Sequence, residues 1–188
     1  MIRRTYVILA SLLLLIGCKQ YEFYGTPYEK PAYDFKLKNP EGRDVKLSDF
    51  RGKIVLIFFG YTHCPDICPT ALNKLSKVYE GLGKDKDKVK VIFITVDPER
   101  DKPDVIKDYL SFFNKDFIGL YGSVEEIKKV AKEYMVFFRK VDEGSKAGYL
   151  VDHTDAIFLV DQKGQLKLIY THRKQDPDRI LEDIKHLL

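Results

Sequence analysis

Two apolar runs, Ile54–Phe59 and Val91–Val96, constrain this chain more than any other feature. Each is nearly unbroken, rich in β-branched and aromatic side chains, and lacks the alternation that marks a strand with one wet face. Such runs read as central strands of a sheet covered on both faces. Between them, Leu72, Leu75, Tyr79 and Leu82 recur at helical spacing after Pro69, a proline acceptable in a first helical turn. The same pattern returns as Val105, Ile106, Tyr109 and Leu110 after Pro103. It returns again as Val124, Ile127, Val130, Ala131 and Tyr134 after Ser123, a plausible N-cap. Ile180, Leu181, Ile184 and Leu188 form a last stripe opened by Asp176-Pro177.

Two hairpins complete the pattern. One joins Phe35–Leu37 to Asp44–Leu47 around Pro40-Glu41-Gly42. The other joins Ala156–Val160 to Leu166–Tyr170 around Asp161–Gly164. The order hairpin–β–α–β–α–β–α–β–β–α predicts an α/β domain, a central mixed sheet flanked by helices with an N-terminal β-hairpin. A length of 188 residues and the absence of a second linker indicate one such domain.

The first residues read as an address. Met1-Ile2-Arg3-Arg4 is positive, and the apolar run Tyr6–Ile16 is too short to span a bilayer but suits a signal-peptide core. It ends in Leu15-Ile16-Gly17-Cys18, which resembles the bacterial lipobox, where the Cys is lipidated and becomes the mature N-terminus. Residues 1–17 are therefore expected to be a lipoprotein signal peptide, with Cys18 the lipidation site. Residues 18–32 are expected to be a membrane tether, since Lys19–Pro31 is polar and aromatic without an apolar period. The folded domain is expected over 33–188, outside the cell membrane on the periplasmic side. The formal net charge is +4, half of it from Arg3 and Arg4, and the remaining charges alternate in sign, as in Lys84–Lys88. That pattern is a solvated surface and excludes a nucleic-acid partner.

Reactive residue types crowd into one place, Gly60-Tyr61-Thr62-His63-Cys64-Pro65-Asp66-Ile67-Cys68-Pro69, between a buried strand and a helix. Both cysteines precede proline, which disfavours helical backbone, so the pair is expected in a loop with Cys68 near the N-cap and Pro69 opening the helix. The positive end of that helix lowers a sulfur's pKa. A structural disulfide closing so short a loop would stabilise little. Metal binding and thiol redox chemistry are the two remaining uses. Two thiolates and one imidazole suit Cu(I), Cu(II) or Zn(II). Of the four histidines, His172 and His186 lie near the surface-rich C-terminus, and the side chain of His63 diverges from that of neighbouring Cys64. His153, just before the strand from Ala156, is the one placed to reach the cysteine loop.

Gly60–Thr70, Val96-Asp97-Pro98-Glu99-Arg100-Asp101 and Asp152-His153-Thr154 resemble the three signatures of the Sco/SenC family, and the resemblance runs from Phe35 to the C-terminus. That family consists of membrane-tethered copper proteins of thioredoxin-like fold implicated in assembling the CuA centre of cytochrome c oxidase. The resemblance implies a thioredoxin-like domain and copper, as Cu(I) or Cu(II), ligated by Cys64, Cys68 and His153. It implies a supporting role for Asp97, with its strand end facing the site. It also implies a metallochaperone rather than an enzyme, whose partner is the CuA domain of oxidase subunit II. Another periplasmic copper carrier or a thiol reductant would act alongside it. The alternative is a thiol–disulfide reductase in which Cys64 and Cys68 keep the target's cysteines reduced. A copper or redox sensor would need only the same site and a different partner.

Overall fold

The computed structural model describes residues 21–142 and 148–188. Cys18 and the expected signal peptide lie outside the described residues. The chain forms strands β1 (Thr26–Pro31), β2 (Lys36–Lys38), β3 (Asp44–Lys46) and β4 (Ile54–Gly60), then helix α1 (Ile67–Gly81). Next come β5 (Val89–Thr95), α2 (Pro103–Ser111), β6 (Ile118–Leu120) and α3 (Val124–Glu133). Strands β7 (Phe138–Val141), β8 (Leu150–His153), β9 (Ile157–Val160) and β10 (Gln165–Tyr170) precede α4 (Pro177–Leu187).

The main sheet has the order β1-β10-β9-β4-β5-β6. It is mixed: β4, β5 and β6 run parallel, whereas β9 is antiparallel to β4 and to β10, and β1 is antiparallel to β10. The two apolar runs are its centre. Every residue of β4 is buried, which requires cover on both faces, and each apolar side chain there contributes up to about 2 kcal/mol. The helical stripes bury as their spacing predicts, and Leu72, Leu75, Ile106, Ile127, Ile180 and Ile184 are all wholly buried. Caps follow the sequence too. Ser123 and Glu126 make a reciprocal capping box, and the Asp176 carboxylate accepts from Asp178 N and Arg179 N ahead of α4. Among the described residues, no helix is long and apolar enough to cross a membrane.

Three expectations change. The second half of the expected tether is not free chain: β1 is an edge strand of the main sheet, pairing Thr26 with Ile169 and Pro31 with Gln165. The folded body thus begins before residue 33. A separate hairpin, β7–β8, pairs Phe138 with His153 and Val141 with Leu150, so His153 ends a strand rather than lying in a loop. Finally, α1 begins at Ile67 with Asp66 as N-cap, which puts Cys68 inside the first turn. The proline restriction does not exclude Cys68 from helical backbone there. Cys64 does lie before the helix, as expected.

Candidate metal site

The backbone of β4 ends at Gly60, and the chain then turns through Tyr61–Asp66 into α1. Gly60 is needed at this point. A Cβ there would come within 2.9 Å of the Phe58 and Phe93 rings and 3.0 Å of Cys68 Sγ. With no side chain at 60, Cys68 packs directly onto the strand end and is fully buried. Cys64 is half-buried, and its sulfur accepts the hydrogen bond of Cys68 N at 3.3 Å. The Asp66 side chain makes no capping bond, so Cys64 supplies one of the acceptors that the free N–H groups of α1 require.

From the other side β8 delivers His153. Its Nε2 lies 3.3 Å from Cys68 Sγ, and its Nδ1 lies 3.0 Å from the carbonyl oxygen of Thr154. A carbonyl only accepts, so Nδ1 donates to Thr154, which orients the ring with Nε2 toward the sulfurs. Two aromatic rings hold the imidazole edge-on, Tyr61 at 5.8 Å and Phe58 at 6.2 Å between centroids. The hydroxyl of Tyr61 accepts from Val151 N at 3.2 Å, tying β8 to the cysteine loop. One donor atom each from Cys64, Cys68 and His153 lies within 4.8 Å of the others. A pocket of about 320 Å³ opens onto Cys64 and His153, walled by Tyr61, Pro65, Ile67 and Val151.

The two sulfurs differ in ionisation. The Cys64 thiol is pushed down to about 3, first by the hydrogen bond donated from the Cys68 thiol, then by that from the His153 side chain, with help from the backbone N–H groups of Cys68 and Asp66. Cys68 moves the other way, because its proton is held by the Cys64 thiolate and burial opposes a second charge. The metal-free pair is therefore a thiolate at Cys64 backed by a thiol at Cys68.

The other residues singled out from the sequence separate from this cluster. His63 turns to Thr62 Oγ1 at 3.1 Å and to Asp101 at 3.5 Å. His172 pairs with Asp155, and His186 stacks on Tyr21. Both Asp97 carboxylate oxygens bind side chains outside the donor set. The buried carboxylate binds Arg100 Nε at 2.5 Å and Tyr149 Oη at 2.8 Å, while Arg100 Nη1 reaches the Tyr149 carbonyl at 2.8 Å. Its contribution is to fix Tyr149, immediately ahead of β8. The carboxylate bracing the cysteine loop is instead Asp101, which accepts from Thr62 N, Thr62 Oγ1 and Thr95 Oγ1 at 3.0, 2.6 and 2.6 Å. Sequence reasoning missed Asp101 and Tyr61; their only signal was membership in the same two motifs.

With the geometry established, comparison decides the family. A model of the SCO1/SenC family matches residues 26–188. The chain belongs to the SCO1/SenC family. This SCO1/SenC chain is 39% identical over 153 residues to the SCO2-like protein of Rickettsia felis, covering 81% of this chain and 74% of that protein. Among solved structures, it is similar to the apo Sco1 protein from Thermus thermophilus, with 43% identity and a TM-score of 0.80 over 90% of this chain and 99% of that one. It is also similar to Bradyrhizobium japonicum ScoI with copper bound, at 43% identity and a TM-score of 0.76, covering 84% of this chain and 99% of that one. The fold is thioredoxin-like, as the resemblance implied.

Proposed function

We propose that this SCO1/SenC chain is a membrane-tethered metallochaperone that carries copper to the CuA centre in subunit II of cytochrome c oxidase. The observation that carries the reading is the convergence of two sulfurs and an imidazole nitrogen of His153 within 4.8 Å. That donor set is soft enough for Cu(I), and the imidazole makes Cu(II) tolerable. Copper is cargo here. Its arrival displaces the Cys68 proton, so loading releases acid. Half-buried Cys64 and the pocket beside it leave one side open to an incoming ligand, through which copper leaves by ligand exchange. Lipid on Cys18 holds the domain to the cell membrane on its periplasmic side, where another copper carrier or a thiol reductant prepares it.

One observation favours a second reading. A half-exposed thiolate backed by a buried thiol is the arrangement that attacks and then resolves a disulfide, as a reductase of the target's CuA cysteines would. The test is metal stoichiometry. Reduced protein is expected to bind one copper ion, and substitution of Cys64, Cys68 or His153 is expected to weaken binding sharply, unlike substitution of His63, His172 or His186. Equal binding by all six variants would refute the ligand set. For the anchor, Cys18→Ser is expected to abolish lipid labelling, and undiminished labelling would refute it.

A further inference from the structure

The segment ahead of β1 is locked to the end of the chain. Asp183 in α4 is wholly buried. Its carboxylate gathers Tyr21 Oη at 2.8 Å, Tyr24 N at 3.0 Å, Gly25 N at 2.9 Å and Tyr170 Oη at 3.0 Å. A buried carboxylate is tolerated only when its lone pairs are filled, so the N-terminal segment and Asp183 hold each other. The lock reaches back to Tyr21, whose ring stacks on His186 at 4.1 Å, with Phe23 edge-on to both. Beside them Lys174 Nζ and Arg179 lie over the Tyr24 ring at 5.9 and 5.1 Å. These aromatic rings are only partly covered and line an open concavity of about 770 Å³. The face also holds Glu22 and Glu182, the latter 3.5 Å from Arg179, so its attraction is not one of net charge alone.

The length of chain before this face says what covers it. Cys18 stands three positions before Tyr21, and the apolar run ends at Ile16. Three residues reach about 10 Å at full extension. An anchor at Cys18 therefore brings the Tyr21 flank, and no distant face, against the headgroup layer. Tyr and Phe rings with cations beside them suit that layer, the rings at the apolar boundary and the cations on phosphate. We propose that Tyr21, Phe23, Tyr24, Lys174, Arg179 and His186 form a docking surface for the phospholipid headgroups of the membrane holding the chain's own anchor. Asp183 is the clamp that sets the domain's orientation. The proposal rests on the lipid-anchor reading above.

The chain contains no tryptophan, so one introduced indole is a local reporter. Full-length, lipid-modified protein is placed in phosphatidylethanolamine–phosphatidylglycerol vesicles whose acyl chains are brominated near the headgroup. One preparation carries Phe23→Trp. The other carries Phe112→Trp, at a residue 83% exposed after α2, by the sheet edge opposite β1. Both are expected to float with the vesicles, with the indole at position 23 quenched at least twofold more than that at 112. Adding Lys174→Glu and Arg179→Glu to Phe23→Trp is expected to keep flotation and remove most of the excess quenching. Equal quenching at both positions in floating protein, or an excess unchanged by the two reversals, overturns the docking surface and leaves the anchor standing. Protein that does not float overturns the anchor reading and the docking proposal together.

Discussion

Cys68 Sγ and His153 Nε2 lie 3.3 Å apart although 85 positions separate them in the chain. The contact joins the first turn of α1, which follows β4 of the central sheet, to the last residue of β8 in the separate β7–β8 pair. It separates the two functional readings. Thiol–disulfide exchange needs the sulfurs alone, whereas a copper carrier needs the nitrogen as well. His153→Ala is expected to keep the dithiol–disulfide couple and lose stable Cu(II) binding. The CuA content of oxidase purified from variant cells grown at low copper should fall, and added copper should partly restore it. Full CuA content with His153→Ala, together with its loss in Cys64→Ser, would favour the reductase.

The two thiols should also differ in reactivity. The ordinary cysteine value is 9.0, and Cys64 is brought down to about 3, so its thiolate fraction is complete well below neutrality. Alkylation at Cys64 is expected to run at a nearly constant rate from about pH 5 to 8, with Cys68 modified far more slowly because it keeps its proton. Cys68→Ala removes the donor and should move the Cys64 profile to higher pH. Mass mapping that found Cys68 alkylated first would contradict this assignment.

Gly60→Ala is a structural probe of the site that replaces none of the three donor residues. The new Cβ would meet Cys68 Sγ at 3.0 Å and two phenylalanine rings at 2.9 Å. The rings are buried and give little, so the sulfur is expected to shift. Copper affinity should drop by about 10- to 100-fold, as when a supporting contact of a metal ligand is lost. A competition titration in folded protein checks it, and unchanged affinity would show that the loop absorbs the methyl group.

Asp183 makes a stability prediction. Asp183→Ala leaves Tyr24 N, Gly25 N and two tyrosine hydroxyls without their acceptor. A loss of about 3 kcal/mol or more is expected, read from chemical denaturation. Asp183→Asn should cost less, since it keeps the shape and one acceptor oxygen. A denaturation midpoint unchanged in both variants would mean that the N-terminal segment adds nothing to the fold.

Local physics made part of this protein legible in its sequence. The unbroken apolar runs of β4 and β5, the 3.6-residue stripes of the helices and the caps at Ser123 and Asp176 each act within a few residues. So does the turn that brings Cys64 ahead of α1. His153 could be singled out because few histidines were available and one preceded a strand. The rest is tertiary. β1 is a mostly exposed strand and β7 only a partly covered one, with no burial period to betray either, and β1 pairs with a strand far along the chain. Asp97 and Asp101 sit four positions apart in one motif, and only the packed sheet turns one toward Tyr149 and the other under the cysteine loop. Asp183 carries no local signal that sets it apart from the other polar positions of α4. The docking of the N-terminal segment buries it and fills its lone pairs, because a carboxylate's neighbours in space, not in sequence, determine whether burial can be tolerated.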